Sequence, residues 1–345
     1  MKIALSTARA TRAGIAAVAL SSLMLVGACS NSSSGGASTS SGGATGDVTI
    51  GIVELNLSNP FFSTLEKNTE AAATAKGWKV MKAEAKVPGD SATQVTAIEN
   101  MINNGVKAIV LDPANPTALV DVVKKARDKG ILVVTVNATL DPIDAADATF
   151  ATDNEAAGEL IGKWAKAAGP ADPQIAMLDF DLSDGPSKGR HVGFLKGFGI
   201  ADGDPLIVGT ALTQGTVDTG QQQMESLLSA HPGINLVYTI NEPTAHGAAT
   251  AIKNVSKVPV TIVSVDGACS GVQDVADGVI GATAMQFPSK MGTMAVDAIA
   301  SYLSTGTKPT AGLNDSGSVL ITDKPVAGLD SQDSTWGLAN CWGEK

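Results

Sequence analysis

From residue 48 onward, short apolar runs alternate with helical segments, and this alternation constrains the fold more than any other feature of the chain. Strand-type runs at 48–53, 79–83, 108–111, 131–136 and 148–151 are separated by helical spacing at 60–76, 91–104 and 116–129. The pattern then restarts. Helices are expected at 155–168, 189–199, 218–230, 243–254 and 270–277, with strands at 174–178, 206–212, 236–240, 261–265 and 282–286. Parallel strands need crossover connections, and a helix of ten or more residues after each strand supplies them. Asn59 before Pro60 reads as an N-cap followed by proline at the first helical position, and Gly77 and Gly130 read as stops. A length of 345 residues agrees with two such units. Aromatics make up only 4% of the chain against 37 glycines, a balance that suits close helix–sheet packing. The expected fold class is therefore α/β, with two doubly wound parallel-sheet domains. Residues 108–126 and 236–254 share one layout, a strand, an acid-then-proline turn and an Ala/Val-rich helix. Duplication of one α/β unit would leave such an echo, and so would ordinary βα grammar.

The N-terminus is a different kind of sequence. Lys2, Arg9 and Arg12 precede an apolar run at 14–25, and Val26-Gly27-Ala28-Cys29 follows. This is the anatomy of a secretory signal peptide, 1–28. Its ending resembles a bacterial lipobox, which would make Cys29 a lipidated first residue. Residues 29–46, Ser/Gly/Thr/Ala-rich after that cysteine, cannot bury a core and read as a tether. The expected location is extracytoplasmic, held at the cell membrane by the lipid. Removing the three N-terminal cations takes the formal charge from −10 to −13. So acidic a chain, with no basic cluster, speaks against nucleic acid as a partner. With Cys29 set aside, Cys269 and Cys341 remain. An even remainder in an exported protein points to a disulfide, with two free thiols as the alternative.

In open parallel sheets ligands sit beyond the carboxyl ends of the strands. The residues following the predicted strands are therefore the informative ones. They include Glu54, Asn56, Asn59, Phe61 and Phe62; Asp112 and Asn115; Asn137; Asp179, Asp181, Asp184 and Arg190; Asn241 and Glu242; Asp266; and Gln286. Amides, carboxylates and a guanidinium are what reading hydroxyl groups requires. A ring can cover the apolar C–H face of a polyhydroxylated molecule. Each polar residue taken singly is also an ordinary turn or cap residue. It is the repetition of this chemistry over seven strand ends that favours a binding site. No catalytic residue is assigned. No His pair has metal-ligand spacing on one helix, and nothing assembles nucleophile, base and oxyanion donors. Neither a metal nor a cofactor is expected.

Eight segments carry a resemblance along most of the chain. They are "SNPFF" (58–62), "GVKAIVLDP" (105–113), "ILVVTVN" (131–137), "ATDN" (151–154), "GRHVGF" (189–194), "NLVYTINEPTAHGA" (235–248), "SVDG" (264–267) and "GATAMQFP" (281–288). In order and spacing the chain resembles the ribose-binding-protein-like periplasmic sugar-binding family, the solute receptors of ABC importers. "DATFATDN", "VSVDGACSGV", "LITDKPVAG" and the terminal "CWG" look like the fructose and sugar-alcohol subgroup, in which two late cysteines recur. The resemblance implies a type I periplasmic binding protein fold, two α/β domains joined by a three-crossover hinge that closes on ligand. Carried onto this chain, the crossovers fall near 151–154, 286–287 and 317–318. The domains become 47–152 with 287–317, and 153–286 with 318–345. Both late cysteines then lie in the second.

The resemblance also implies a ligand set: Asn59, Phe61, Phe62 and Asn137 from the first domain, and Arg190, Asn241, Asp266 and Gln286 from the second domain and hinge. It implies a monomer that binds a small neutral polyhydroxy ligand and meets a membrane permease. Three departures bear on that ligand. Ribose-binding members have an Asp-Arg pair where this chain has Asn137-Ala138. Their second-domain aromatic falls here around Gly215-Thr216, and their Phe beside the conserved aspartate position is Val265. A cleft without that charge pair and that aromatic wall would favour an open-chain or smaller ligand, such as xylitol, a tetritol or fructose. A sugar sensor feeding a chemoreceptor or kinase is the alternative role. A sugar-responsive repressor would need an N-terminal helix-turn-helix, and this chain has a signal peptide in its place.

Overall fold

The computed structural model describes residues 48–87 and 89–344. The expected signal peptide, Cys29 and the expected tether lie outside these residues. The first sheet begins with β1 (Thr49–Glu54), β2 (Lys79–Glu84), β3 (Ala108–Leu111), β4 (Leu132–Val136) and β5 (Ala148–Ala151). Between them run α1 (Pro60–Ala75), α2 (Ser91–Asn103) and α3 (Val120–Asp128). A second series follows: α4 (Asn154–Ala168), β6 (Ile175–Asp179), α5 (Gly185–Phe198), β7 (Ile207–Leu212), α6 (Val217–Ala230), β8 (Leu236–Thr239), α7 (Glu242–Val255), β9 (Thr261–Asp266), α8 (Cys269–Ala276) and β10 (Ala282–Met285). Four elements lie beyond the alternating pattern read from sequence: α9 (Pro288–Thr305), β11 (Leu313–Asp315), β12 (Val319–Ile321) and α10 (Ser334–Asn340).

The strands form two six-stranded sheets, ordered β11-β5-β4-β3-β1-β2 and β12-β10-β9-β8-β6-β7. All pairings are parallel except β10 with β12. Each sheet places its first-formed strand between its second and third, so helices cover both faces. Ile50, Ile52 and Val134 face Leu65 of α1 and Met291 of α9, while Ile109 and Val133 face Ile98 of α2 and Val123 of α3. In the second sheet Met177 and Val263 meet Trp164 and Phe194 of α4 and α5. Ala176 and Val237 meet Met224, Ala248 and Val272 of α6, α7 and α8. The fold is thus two parallel-sheet α/β domains. The chain passes from the first sheet to the second between β5 and β6, returns after β10, and passes again between β11 and β12.

Two helix starts differ from the sequence reading. The third helix begins at Val120, because the Asn115 side chain accepts from the backbone N–H groups of Thr117 and Ala118 and holds them in a turn. The helix expected at 189 begins at Gly185, where Asp184 accepts from Ser187 N at 3.0 Å and Pro186 occupies the first turn. Small residues bring α5 unusually close to α4. A Cβ at Gly158, Gly162, Gly193 or Gly197 would strike the backbone of the facing helix. The backbone carbonyl of Arg190 is one of the atoms a Cβ at Gly158 would strike. Among the described residues no helix is long and apolar enough to cross a membrane.

Candidate ligand-binding site

The carboxyl ends of both sheets open on one cavity of about 770 Å³. That size lies inside the range of roughly 300–1,000 Å³ usual for small-molecule sites. Among the described residues only two non-glycines have positive φ, Asn137 at 59° and Asp266 at 154°. Both line this cavity, one from each sheet. Backbone conformations that cost energy persist where surrounding structure enforces them, and here both enforced positions point at the same site.

The second-domain wall is a buried ionic network. Arg190 and Asp266 are each 7% exposed. Arg190 Nε donates to Asn154 Oδ1 at 2.8 Å, and an Nη donates to the Ile240 carbonyl at 2.9 Å. The same nitrogen lies 3.7 Å from Asp266 Oδ1, too far for a full hydrogen bond but close enough for charge attraction. Gln286 Nε2 donates to that carboxylate oxygen at 3.0 Å. Behind them the Glu242 carboxylate accepts from Gly267 N, Ala268 N and Thr283 Oγ1. Burial raises Asp266 to about 6 although Arg190 and Gln286 oppose the rise, and burial together with the Asp266 charge raises Glu242 to about 8. Asn241 lines the cavity, yet it is also the cap of α7. Its side-chain oxygen accepts from Thr244 N and its nitrogen donates to the Gly215 carbonyl.

The first-domain wall is apolar and amide-rich. Asn59 caps α1 by accepting from Phe61 N at 2.9 Å. Phe61 is 5% exposed and anchored in the core, whereas Phe62 is half-buried; their rings meet edge-on at 5.7 Å. Asn137 donates to both oxygens of Asp112 at 3.1–3.2 Å. Burial lifts the Asp112 carboxyl well above the usual range, with Asn137 opposing the rise. Glu54, fully buried at the end of β1, is likewise lifted well above the usual range by burial and by the charges of Asp112 and Glu66.

A family described as "Periplasmic binding protein domain" matches residues 50–308. The chain belongs to the periplasmic binding protein family. The ribose import binding protein RbsB of Bacillus subtilis (strain 168) is 29% identical over 277 residues, covering 80% of this chain and 88% of that one. Among solved structures, an ABC transporter solute binding protein of Agrobacterium vitis with bound D-fucose is 30% identical. Its TM-score is 0.72, and the match covers 82% of this chain and all of that one. A solute binding protein of Mycobacterium smegmatis with bound glycerol is 26% identical, with a TM-score of 0.73 and 87% of this chain covered. The two-domain architecture is the type I fold of this family, and its relatives are binding proteins rather than enzymes.

Seven of the eight ligand-set residues line the cavity: Asn59, Phe61, Phe62, Asn137, Arg190, Asn241 and Asp266. Gln286 does not line it; the residue is fully buried and its amide braces Asp266 from behind. The expectation of a missing aromatic wall needs correction. Phe180, at the end of β6, and Trp342, near the C-terminus, both line the cavity. Val265 is buried in the second core, and Gly215 and Thr216 do stand at the cleft. The apolar surface is present but arises at other positions. The clue to Trp342 was its place one residue after Cys341: a disulfide joins Cys341 to Cys269 at the start of α8, with Cα atoms 4.9 Å apart. Nothing local to "NCWGEK" marks the tryptophan as a cleft residue. Among the described residues no group of three or more His, Cys, Asp or Glu is placed to hold a metal ion.

Proposed function

We propose that this protein captures a neutral, polyhydroxylated ligand of monosaccharide size, a sugar or sugar alcohol, and delivers it to the permease of an ABC importer. The observation that carries the reading is the convergence on one cavity of Asn137 with the Phe61–Phe62 pair from the first sheet and the Arg190–Asp266 network from the second. Hydroxyl groups can donate to Asp266 and accept from Arg190 and Asn137. The rings offer carbon-bound hydrogens an apolar face. A wall of buried polar groups discriminates strongly, because a ligand lacking the matching hydroxyl leaves them unpaired. The names of the relatives, with ribose, D-fucose and glycerol as their ligands, agree with this class.

Within the class we favour a xylitol- or threitol-like polyol over a ribose- or fructose-type ring. The preference now rests on Asn137-Ala138, which offers the ligand no charged pair from the first domain. Phe180 and Trp342 could flank a ring, so the aromatics of the cleft do not separate the two. We place the hinge at 151–154, 286–287 and 317–318, with domains of 47–152 plus 287–317 and 153–286 plus 318–345. Lipidation of Cys29 would hold a monomer outside the membrane within reach of its permease. Supply of a chemoreceptor or sensor kinase is the second role this site would serve equally well.

Calorimetry of the processed protein against ribose, fructose, xylitol and threitol tests the reading. Binding of xylitol or threitol above both sugars is expected. Tight ribose binding with no polyol binding refutes the polyol preference, and no binding to any polyhydroxy compound refutes the class.

A further inference from the structure

One part of the cleft wall is supplied by neither sheet. Trp342 follows Cys341, and the disulfide to Cys269 fastens this tail beside the end of β9. The backbone of Trp342 bridges that of Ala268, and its carbonyl accepts from Cys269 N at 2.9 Å. Its indole N–H donates to two carbonyls, Asp266 at 3.2 Å and Gln286 at 3.1 Å. Those two residues hold the ligand-facing carboxylate and its brace. Across the cleft the indole meets Phe61 edge-on, with ring centroids 5.5 Å apart. The side chain is thus 8% exposed, and it lines the cavity.

A disulfide and the backbone bridge would already anchor a tail. The indole does something further: its N–H is satisfied on the very strand ends that carry Asp266 and Gln286. A buried indole N–H needs a partner, and here the partners fix the plane of the ring relative to the carboxylate. We propose that Trp342 is a specificity-determining wall of the ligand site, set in place by the Cys269–Cys341 disulfide. The inference rests on the cleft being the sugar or polyol site. The ring bounds the space between Phe61 and Asp266, so it limits how many carbons the ligand can place there. It also extends the apolar face that the Phe61–Phe62 pair gives the carbon skeleton. Cys269 and Cys341 are not themselves among the cavity-lining residues, so the disulfide acts on the site by placing its neighbours, Trp342 on one side and Ala268, Ser270 and Gly271 on the other.

The test compares full-length wild type with Trp342→Leu, Trp342→Phe and a Cys269→Ala/Cys341→Ala double variant. Calorimetry is run with four-, five- and six-carbon sugars and polyols, alongside tryptophan emission and thermal unfolding. Trp342→Leu should change the ratio of affinities between five- and six-carbon ligands at least tenfold in favour of the larger, the scale on which a methylene-sized difference is read in a pocket. The double cysteine variant should move the ratio in the same direction. Ligand should change tryptophan emission in wild type and not in Trp342→Phe. The other three tryptophans, Trp78, Trp164 and Trp336, are not among the cavity-lining residues, and Trp164 is sealed in the core with its N–H on Lys324 O, so they are poor reporters of the cleft. A uniform loss across the series, or an unchanged ratio, overturns the proposal while leaving the sugar reading intact. If Trp342→Leu does not fold, an emission change that survives in Trp342→Phe overturns it equally. Failure of wild type to bind any compound in the series overturns the sugar reading and this inference with it.

Discussion

The two walls of the cleft are built on the same plan and do opposite kinds of work. Both consist of strand ends, helix caps and one residue forced to positive φ. The second-domain wall buries charge: Arg190, Asp266 and Glu242 are each at most 7% exposed and joined through Gln286, Thr283 and backbone groups. The first-domain wall offers rings and amides, and its buried acids, Glu54 and Asp112, are not among the cavity-lining residues. A preorganised ionic wall is costly to leave unpaired and so discriminates. An apolar wall contributes area, which is tolerant of shape. Selection among polyhydroxy ligands should therefore reside in the second domain and general affinity in the first.

The sharpest way to break this contrast is to remove the ionic wall. Arg190→Ala and Asp266→Ala should each abolish measurable binding, a loss of roughly 2–5 kcal/mol by analogy with truncated buried charge pairs. Circular dichroism should still report a cooperative fold. Retained affinity in both variants would move the recognition chemistry elsewhere.

How far these walls could be read in advance depended on whether the signal was local. Asn59-Pro60 announced a capped helix and delivered one, because cap, proline and ring pair are adjacent. The alternation of runs announced two parallel-sheet domains for the same reason: each strand–helix unit declares itself within thirty or so residues, the size of a βαβ motif. Gln286 was placed with the ligand by the family resemblance, at a strand end. Distinguishing contact from bracing needed the orientation of its amide, which strand periodicity does not encode. Trp342 was not read as a cleft residue, although the disulfide beside it was expected, because the plane of its ring depends on carbonyls contributed by β9 and the crossing after β10. Asn241 was both things at once, a cap and a lining residue.

A second prediction concerns pH. Asp266 must be ionised to accept from ligand hydroxyls on both oxygens, and burial raises it to about 6. Affinity should hold above that value and fall below it, by about tenfold at one unit lower if only the ionised form binds. Stability should run the other way. Asp266 and Glu242 are both raised in the fold, so their contribution is complete below the ordinary carboxylate range and is lost as pH rises through about 6 and about 8. His191, raised to about 9 by its hydrogen bond to Asp179, loses its contribution between about 6.5 and 9. Isothermal titration and thermal unfolding from pH 5 to 9 should therefore show opposed trends. Affinity flat across pH 5 to 7 would detach Asp266 from recognition.

A third prediction weighs the apolar wall. Phe62 is half-buried and meets Phe61 edge-on, so Phe62→Ala should cost binding about 1 kcal/mol, the value of an aromatic contact. That is a few-fold in affinity, with the ranking of ligands preserved. A changed ranking would mean that the first wall selects as well, and the contrast between the walls would fail.

The smallest effect compares one buried acid from each wall. Glu242 accepts three hydrogen bonds, from Gly267 N, Ala268 N and Thr283 Oγ1. Glutamine there must turn an amide nitrogen toward one of those donors, so Glu242→Gln should destabilise at every pH. Glu54 has no side-chain donor on its carboxyl among the described residues, and burial and the Asp112 charge lift it well above the usual range. Glu54→Gln mimics the neutral acid. It should change the unfolding midpoint least near pH 5, since a raised carboxyl costs the fold nothing at the acid end. At pH 8.5, the alkaline end, where a raised carboxyl costs the fold more, it should gain up to about 1 kcal/mol, the lower end of a buried group's desolvation penalty. Equal losses at both pH values would show that Glu54 is held ionised by groups that also need it, and the first wall would then be as ionic as the second.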